Sequence, residues 1–320
     1  MEPVPVHTSN TFEDFSGITS SSSDNPYDAL IDASQNDPVQ IQARYSTHRS
    51  MRNAQQKAKL LAPDFDGVQI DPVLLRLSDS SVEPGYADPR HCLVFWARPP
   101  QAVKNLIAQI QQKLLAAAPN LWLMPPDNLH MTTLEITHSQ TASTIHSLVA
   151  SMRAAIPSIV NYTQTHRARL VRPLLSFDAQ ALALSFVPAA GESLPPGQAP
   201  ADDAYSYHHL RRDVFALSRA AGVAVESRYV VPSAHLTVGR FVAGRDFEGD
   251  DGRLDRGKVA ELVEAIDSVN EWLVEEFWPK REGGIREGGE WIVGQEKGLN
   301  CRMGTLWYGG GEDVELGKGF

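Results

Sequence analysis

The sequence predicts an α+β fold built from duplicated strand–helix–strand–helix halves, forming two lobes about a central groove. Two observations predict it. Across residues 91–310, apolar residues recur alternately at the spacing of strands and at that of helices. Each half also holds one strand in which histidine, an apolar residue and threonine interrupt a hydrophobic run: NLHMTTLEI at 128–136 and SAHLTVGRF at 233–241.

Residues 1–25 are rich in Ser, Thr, Asn, Asp and Pro without apolar periodicity, and read as a disordered tail. Residues 26–89 read as an accessory helical and extended region. Its polar stretch 38–61 is rich in helix formers and predicts a surface helix packing through Ile41, Tyr45 and Leu60. The main domain spans 90–320. It opens on the strand HCLVFWARPP (91–100), stopped by two prolines. In 101–119, Val103, Leu106, Ile107, Ile110 and Leu114 share one helical face. The His130 strand follows, then one amphipathic helix over 143–160. In the second half, 167–177 and 179–188 read as strands and 189–200 as a Gly/Pro-rich loop. A helix over 207–222 ends at glycine, His235 sits on the next strand, and 257–278 is a long helix. The segments 290–298 and 300–310 read as a closing hairpin.

Composition narrows the function. The 320-residue chain is 42% hydrophobic, ample for a core, with a formal net charge of −10 and a pI near 5.5. Such a surface repels a long phosphate backbone and disfavours long-duplex nucleic acid as a partner. A small nucleotide or an RNA 3′ end held in a local pocket is compatible with it. Cys92 and Cys301 lie in apolar strand-like surroundings and read as buried thiols of a reducing compartment. Neither a signal-peptide pattern nor eighteen consecutive apolar residues occurs, so the expectation is a cytoplasmic or nuclear protein without a membrane partner.

His-x-Ser/Thr occurs at His7, His48, His130 and His235, and context separates the four. The first two lie in polar sequence. The last two lie in strands, where alternation puts His130 with Thr132, and His235 with Thr237, on one face. A single strand histidine is commonly a satisfied core residue. Two in matching positions of similar halves point to an imidazole pair facing one groove, one taking a proton and the other giving one.

These paired motifs, LHMTT and AHLTV in duplicated strand–helix units, resemble the 2H phosphoesterase superfamily, which includes RNA 2′,5′-ligase-like proteins and cyclic nucleotide phosphodiesterases. The resemblance covers roughly residues 90–310. It implies antiparallel sheets lining the groove, His130 and His235 as catalytic acid and base, and Thr132 and Thr237 as phosphate binders. Thr133 departs from the apolar residue many members carry there. The implied activity is metal-independent phosphodiesterase chemistry, without cofactor, on cyclic nucleotides such as 2′,3′-cyclic phosphates or on RNA ends. RNA 2′,5′-ligation and a nucleotide- or RNA-binding module without turnover are the alternatives. Which histidine is the base depends on substrate orientation.

Tyr229 and Trp307, expected on strands, are candidates for base stacking, with core packing as the plainer alternative. Arg240 has the opposite parity to His235 and should face away from the groove. His208 and His209 point about 100° apart on a helix beside Arg211 and Arg212, which makes them poor co-ligands on an expected solvated face. His138 falls at the rim at most. No Asp/Glu/His cluster has metal-ligand spacing.

Overall fold

The computed structural model describes residues 13–18, 23–194, 199–280 and 284–320. Much of the tail expected to be disordered, and part of the 189–200 loop, lies outside these. Helix α1 (Asp28–Ala33) leads into α2 (Pro38–Leu60) and α3 (Pro72–Ser78). Asp37 and Asp71 cap α2 and α3, each accepting backbone N–H bonds ahead of a proline pre-set for the first turn. Next come β1 (His91–Ala97), α4 (Gln101–Leu114), β2 (Trp122–Leu123), β3 (Met131–Gln140), α5 (Ala142–Met152) and α6 (Ile156–Val160). The second half holds β4 (Arg169–Phe177), β5 (Ala181–Pro188), α7 (Tyr207–Ala220), β6 (Ala234–Arg240) and α8 (Arg256–Phe277). Three strands close the chain: β7 (Glu290–Ile292), β8 (Lys297–Gly304) and β9 (Glu312–Lys318).

The strands form two antiparallel sheets, in the orders β3-β1-β8-β9 and β2-β6-β5-β4-β7. An α+β architecture with antiparallel sheets is thus observed, but the halves are not simple copies. β2 leaves the first half to pair with β6, and the expected closing hairpin is split between the sheets. β7 joins β4, while β8 pairs instead with the unanticipated β9 and with β1. The helix expected over 143–160 breaks into α5 and α6.

Alternation in β1 separates the two sides of its sheet. Leu93, Phe95 and Ala97 enter the main core, whereas Cys92, Val94 and Trp96 form a small cluster with Leu306 on the other face. β3 is an outer strand, and β6 is bordered only by the two residues of β2, so the free flanks of these strands pack together. Both histidine motifs lie at that seam.

The N-terminal region is part of the same core. Tyr27, Ile41, Tyr45 and Leu60 are buried in it. Within the nominal tail, Ser16 is buried and its carbonyl accepts from Arg44 Nη1 at 2.8 Å, while Asn25 Nδ2 donates to the Arg212 carbonyl at 2.9 Å. For these residues packing replaces the expected disorder. The solvated face expected for His208 and His209 is likewise corrected, because both are buried. His208 Nδ1 meets Tyr45 Oη and its Nε2 meets the Tyr27 carbonyl, each at 2.9 Å. The N-terminal tyrosines cover a face of α7 that the helix sequence alone leaves open. Both cysteines are free and buried, and no described helix is long and apolar enough to cross a membrane.

If α2 is an integral layer, Ile41→Ala should cost about 2–5 kcal/mol, the usual range for emptying a core site. Urea unfolding checks this; an unchanged midpoint would show that α2 is only appended.

Candidate active site

β3 and β6 bring the two motifs to one cavity of about 70 Å³, lined by His130, Thr132, His235 and Thr237. Its volume is well below the roughly 300–1,000 Å³ of a pocket enclosing a drug-sized ligand. It suits a group of a few atoms, with the rest of the ligand outside.

Each imidazole is held through Nδ1. His130 Nδ1 lies 2.7 Å from the Asn128 carbonyl, and His235 Nδ1 lies 2.8 Å from Ser233 Oγ. A carbonyl only accepts, so neutral His130 carries its proton on Nδ1 and a lone pair on Nε2. Ser233 both donates and accepts, which leaves His235 free to adopt either neutral tautomer or the charged form. The His130 ring also stacks on Trp96, centroids 3.7 Å apart and planes 17° from parallel. Because Trp96 pairs with Thr132 across the ladder, the same register fixes both motif residues.

Burial pushes His130 down to about 3, with Arg98, His235 and Arg302 adding repulsion against its bond to Asn128. Burial pushes His235 down to about 4, aided by Arg52, Arg211 and Arg240 and opposed by Asp178. Without ligand at neutral pH, both rings are neutral.

Arg240 corrects the parity argument. Ala183 pairs with Thr237 but Leu182 with Gly239, so β6 carries one extra residue, a bulge, at Val238–Gly239. The bulge resets alternation and brings Arg240 onto the cavity wall. A glycine inside a strand was the available signal. Arg240 is lightly held: Nη1 reaches Asp71 at 3.4 Å, and its buried Nε has no partner among the described residues. Tyr308 Oη donates to the same carboxylate at 2.7 Å.

Glu135 and Arg228, both missed in the sequence, also line the cavity. Buried Glu135 accepts from Arg228 Nε at 3.0 Å and Nη2 at 2.8 Å. A bulge at Thr133 turns Glu135 to the face of Thr132, as the pairs Trp96–Thr132 and Phe95–Leu134 record. Tyr229 and Trp307 reach the cavity wall from a loop and a turn rather than from strands. The Tyr229 ring is 6.1 Å from that of His235, while the guanidiniums of Arg90 and Arg228 lie 4.5 and 4.7 Å from the Trp307 ring centre. His138 stands outside the cavity lining, its ring 6.5 Å edge-on from that of Trp307. Among the described residues no three His, Cys, Asp or Glu side chains converge as metal ligands.

No family model matches the sequence, and no curated protein matches it. Among solved structures it is similar to Kluyveromyces marxianus Usb1, at 12% identity and a TM-score of 0.33, over 68% of this chain and 98% of that one. The same protein with uridine monophosphate gives 10% identity and a TM-score of 0.31, over 68% and 95%. Likeness at this level carries no functional weight, which rests on the cavity.

A methyl group on Gly239 would meet Leu121 Cδ2 at 2.9 Å and the Trp122 carbonyl at 3.1 Å. Gly239→Ala should therefore lower stability by about 1–3 kcal/mol, as overpacking does, and displace Arg240. Thermal melts check the first effect and inorganic phosphate affinity the second. A variant unchanged in both would remove the bulge from the account of the site.

Proposed function

We propose that this cavity is the active site of a metal-independent phosphodiesterase acting on a 2′,3′-cyclic nucleotide or an RNA 3′ end. The observation that carries the reading is the placement of two His-x-Thr pairs around one phosphate-sized cavity, with each imidazole anchored through Nδ1. The motif resemblance to 2H phosphoesterases agrees with it.

In the proposed reaction His130 is the base, because the Asn128 carbonyl holds its lone pair on Nε2. It takes a proton from water as the water oxygen bonds to phosphorus. The bond from phosphorus to the leaving ribose oxygen breaks, and His235 gives that oxygen a proton. Thr132 and Thr237 hydroxyls donate to the non-bridging oxygens, with Arg240 as a charged donor. A general acid must arrive protonated, which the free site disfavours. The substrate phosphate supplies the missing interaction, since a nearby negative charge raises the pKa of His235. No step needs a metal, and RNA 2′,5′-ligation would be the same displacement with a 5′-hydroxyl in place of water as the nucleophile and the ring 3′-oxygen as the leaving group. Tyr229 remains the stacking candidate beside His235. Trp307, with two guanidiniums near its ring, is the weaker one.

Purified protein incubated with 2′,3′-cyclic nucleotides and a chelator should open the ring. Binding without turnover would favour the nucleotide-binding alternative. His130→Ala and His235→Ala should each lower kcat by about 10²–10⁴, and the double variant should be little worse, because the pair acts as a unit. Thr132→Val and Thr237→Val should cost less, each removing one donor. Near-normal turnover in either histidine variant would withdraw that residue's role.

The pH dependence carries a sign. The acid must be protonated, so kcat/KM, which reports the free enzyme, should fall as pH rises above about 4, the His235 value. The falling limb of kcat should lie at higher pH, because bound phosphate raises that value. Coincident falling limbs in the two profiles would contradict this charge coupling.

A further inference from the structure

Arg211 is the most unusual buried group outside the catalytic set. It lies on α7, is 1% exposed, and forms no ion pair with a carboxylate among the described residues. Buried charges are ordinarily paired, because an uncompensated ion in the interior is costly. Here tyrosines and carbonyls take the place of a counter-ion. Its guanidinium carbon lies 4.5 Å from the Tyr27 ring centre and 5.9 Å from that of Tyr207. Nη2 donates to Tyr27 Oη at 3.2 Å, Nη1 to the Val231 carbonyl at 2.9 Å and Nε to the Thr133 carbonyl at 3.3 Å.

Two of those bonds end on backbone next to the cavity. Thr133 follows Thr132 and forms the β3 bulge, and Val231 lies in the loop joining Tyr229 to Ser233, the residue that anchors His235. Tyr27 Oη also donates to the Tyr229 carbonyl at 3.3 Å, and Tyr207 Oη to the Thr132 carbonyl at 3.0 Å. The two catalytic segments belong to different sheets, and this buried cation bridges them.

We propose that Arg211 is a positioning residue for the two-histidine site, clasping β3 to the loop before His235 and supplying, behind the cavity, a positive charge that a bound phosphate compensates. This rests on the proposed location of the active site but not on turnover. Lowering of the His235 pKa by Arg211 agrees with that charge being felt at the site. Around His235 stand Arg52 of α2, Asp178 of the β4–β5 turn, Arg211 of α7, Arg240 of its own strand with Asp71 beside it, and the Glu135–Arg228 pair of the cavity wall, with the His130 ring across the cavity. Arg52 is paired with Asp178, Arg240 with Asp71 and Arg228 with Glu135, which leaves Arg211 as a positive charge without a carboxylate partner among the described residues, so the ligand-free site favours an anion. Electrostatic attraction and alignment are separable contributions of one side chain, as a lysine keeps the charge but not the forked donor geometry.

The test compares wild type with Arg211→Met, Arg211→Lys and Tyr27→Phe. It reads melting temperature, calorimetric affinity for inorganic phosphate, and the kcat/KM pH profile on a 2′,3′-cyclic nucleotide. Arg211→Met should weaken phosphate binding at least about 10-fold and move the His235 limb to higher pH. Arg211→Lys should recover phosphate affinity while kcat stays low. Tyr27→Phe, the milder change, keeps the inference testable if the Met variant does not fold, and should lower kcat several-fold with phosphate affinity near wild type. If Arg211→Met or, failing it, Tyr27→Phe lowers only the melting temperature, Arg211 is a structural residue and the proposal is overturned. If wild type turns over no cyclic nucleotide yet Arg211→Met still loses phosphate affinity, the proposed function fails and the charge assignment stands.

Discussion

The site depends on the meeting of two free strand flanks. β3 ends one sheet and β6 is nearly the end of the other, and each offers to the seam a run of backbone and side chains that no further strand covers. An exposed flank is usually a hazard, since it invites pairing with another chain. Here the two flanks cover each other, and the polar residues between them gain a cavity that a flat sheet face lacks. The cores behind both strands hold the seam: Met131 anchors β3, while Leu236 and Val238 anchor β6. Alternation then leaves His130 and Thr132, and His235 and Thr237, on the opposite faces. The placement of the two motifs is thus a consequence of core packing one residue away.

That dependence explains what was legible in the sequence. Parity within each motif involves only three residues and no long-range information, so the grouping of His130 with Thr132 and of His235 with Thr237 was readable from the pattern of β3 and β6. Arg240 was misread because a parity count cannot see that a neighbouring strand pairs two residues against one. The bulge at Gly239 is decided by Leu121 and Trp122, more than a hundred residues upstream in the chain. Glu135 was hidden by the same device at Thr133. His208 and His209 were placed in solvent because the tyrosine that covers His208, and Asn36, which meets His209 Nε2 at 2.6 Å, lie in the N-terminal region. The C-terminal strands were assigned to one hairpin because sequence neighbours usually pair, a rule that the crossing from β7 to β8 breaks.

The N-terminal region follows from the second half's need for a cover. α7 is amphipathic in an uneven way, with Tyr207, His208, Arg211 and Val214 all buried. A helix with that many polar groups facing inward cannot sit on an apolar sheet unless each finds a partner. α1 and α2 bring Tyr27 and Tyr45, whose hydroxyls serve His208 and Arg211 and whose rings fill the space between them. Arg49 of α2 extends the same logic by donating to the Arg172 and Ser185 carbonyls, where β4 is irregular. The layer is polar in composition yet interior in function, which is why its hydrophobic periodicity was weak in the sequence.

Electrostatics completes the connection from packing to chemistry. A protein carrying ten excess negative charges overall has gathered Arg98, Arg211, Arg240 and Arg302 around two imidazoles that burial keeps neutral. Their effect is local, because salt screens charge beyond about 8–10 Å, so the acidic exterior does not cancel it. Protonating either imidazole in the empty cavity adds a further positive charge to an already positive wall. Binding a phosphate removes that penalty and places the new charge beside its counter-charge. In the proposed reaction the ligand itself would thus create the protonation state its cleavage requires, and a neutral molecule of the same shape would leave both histidines uncharged and the acid step without a proton to give.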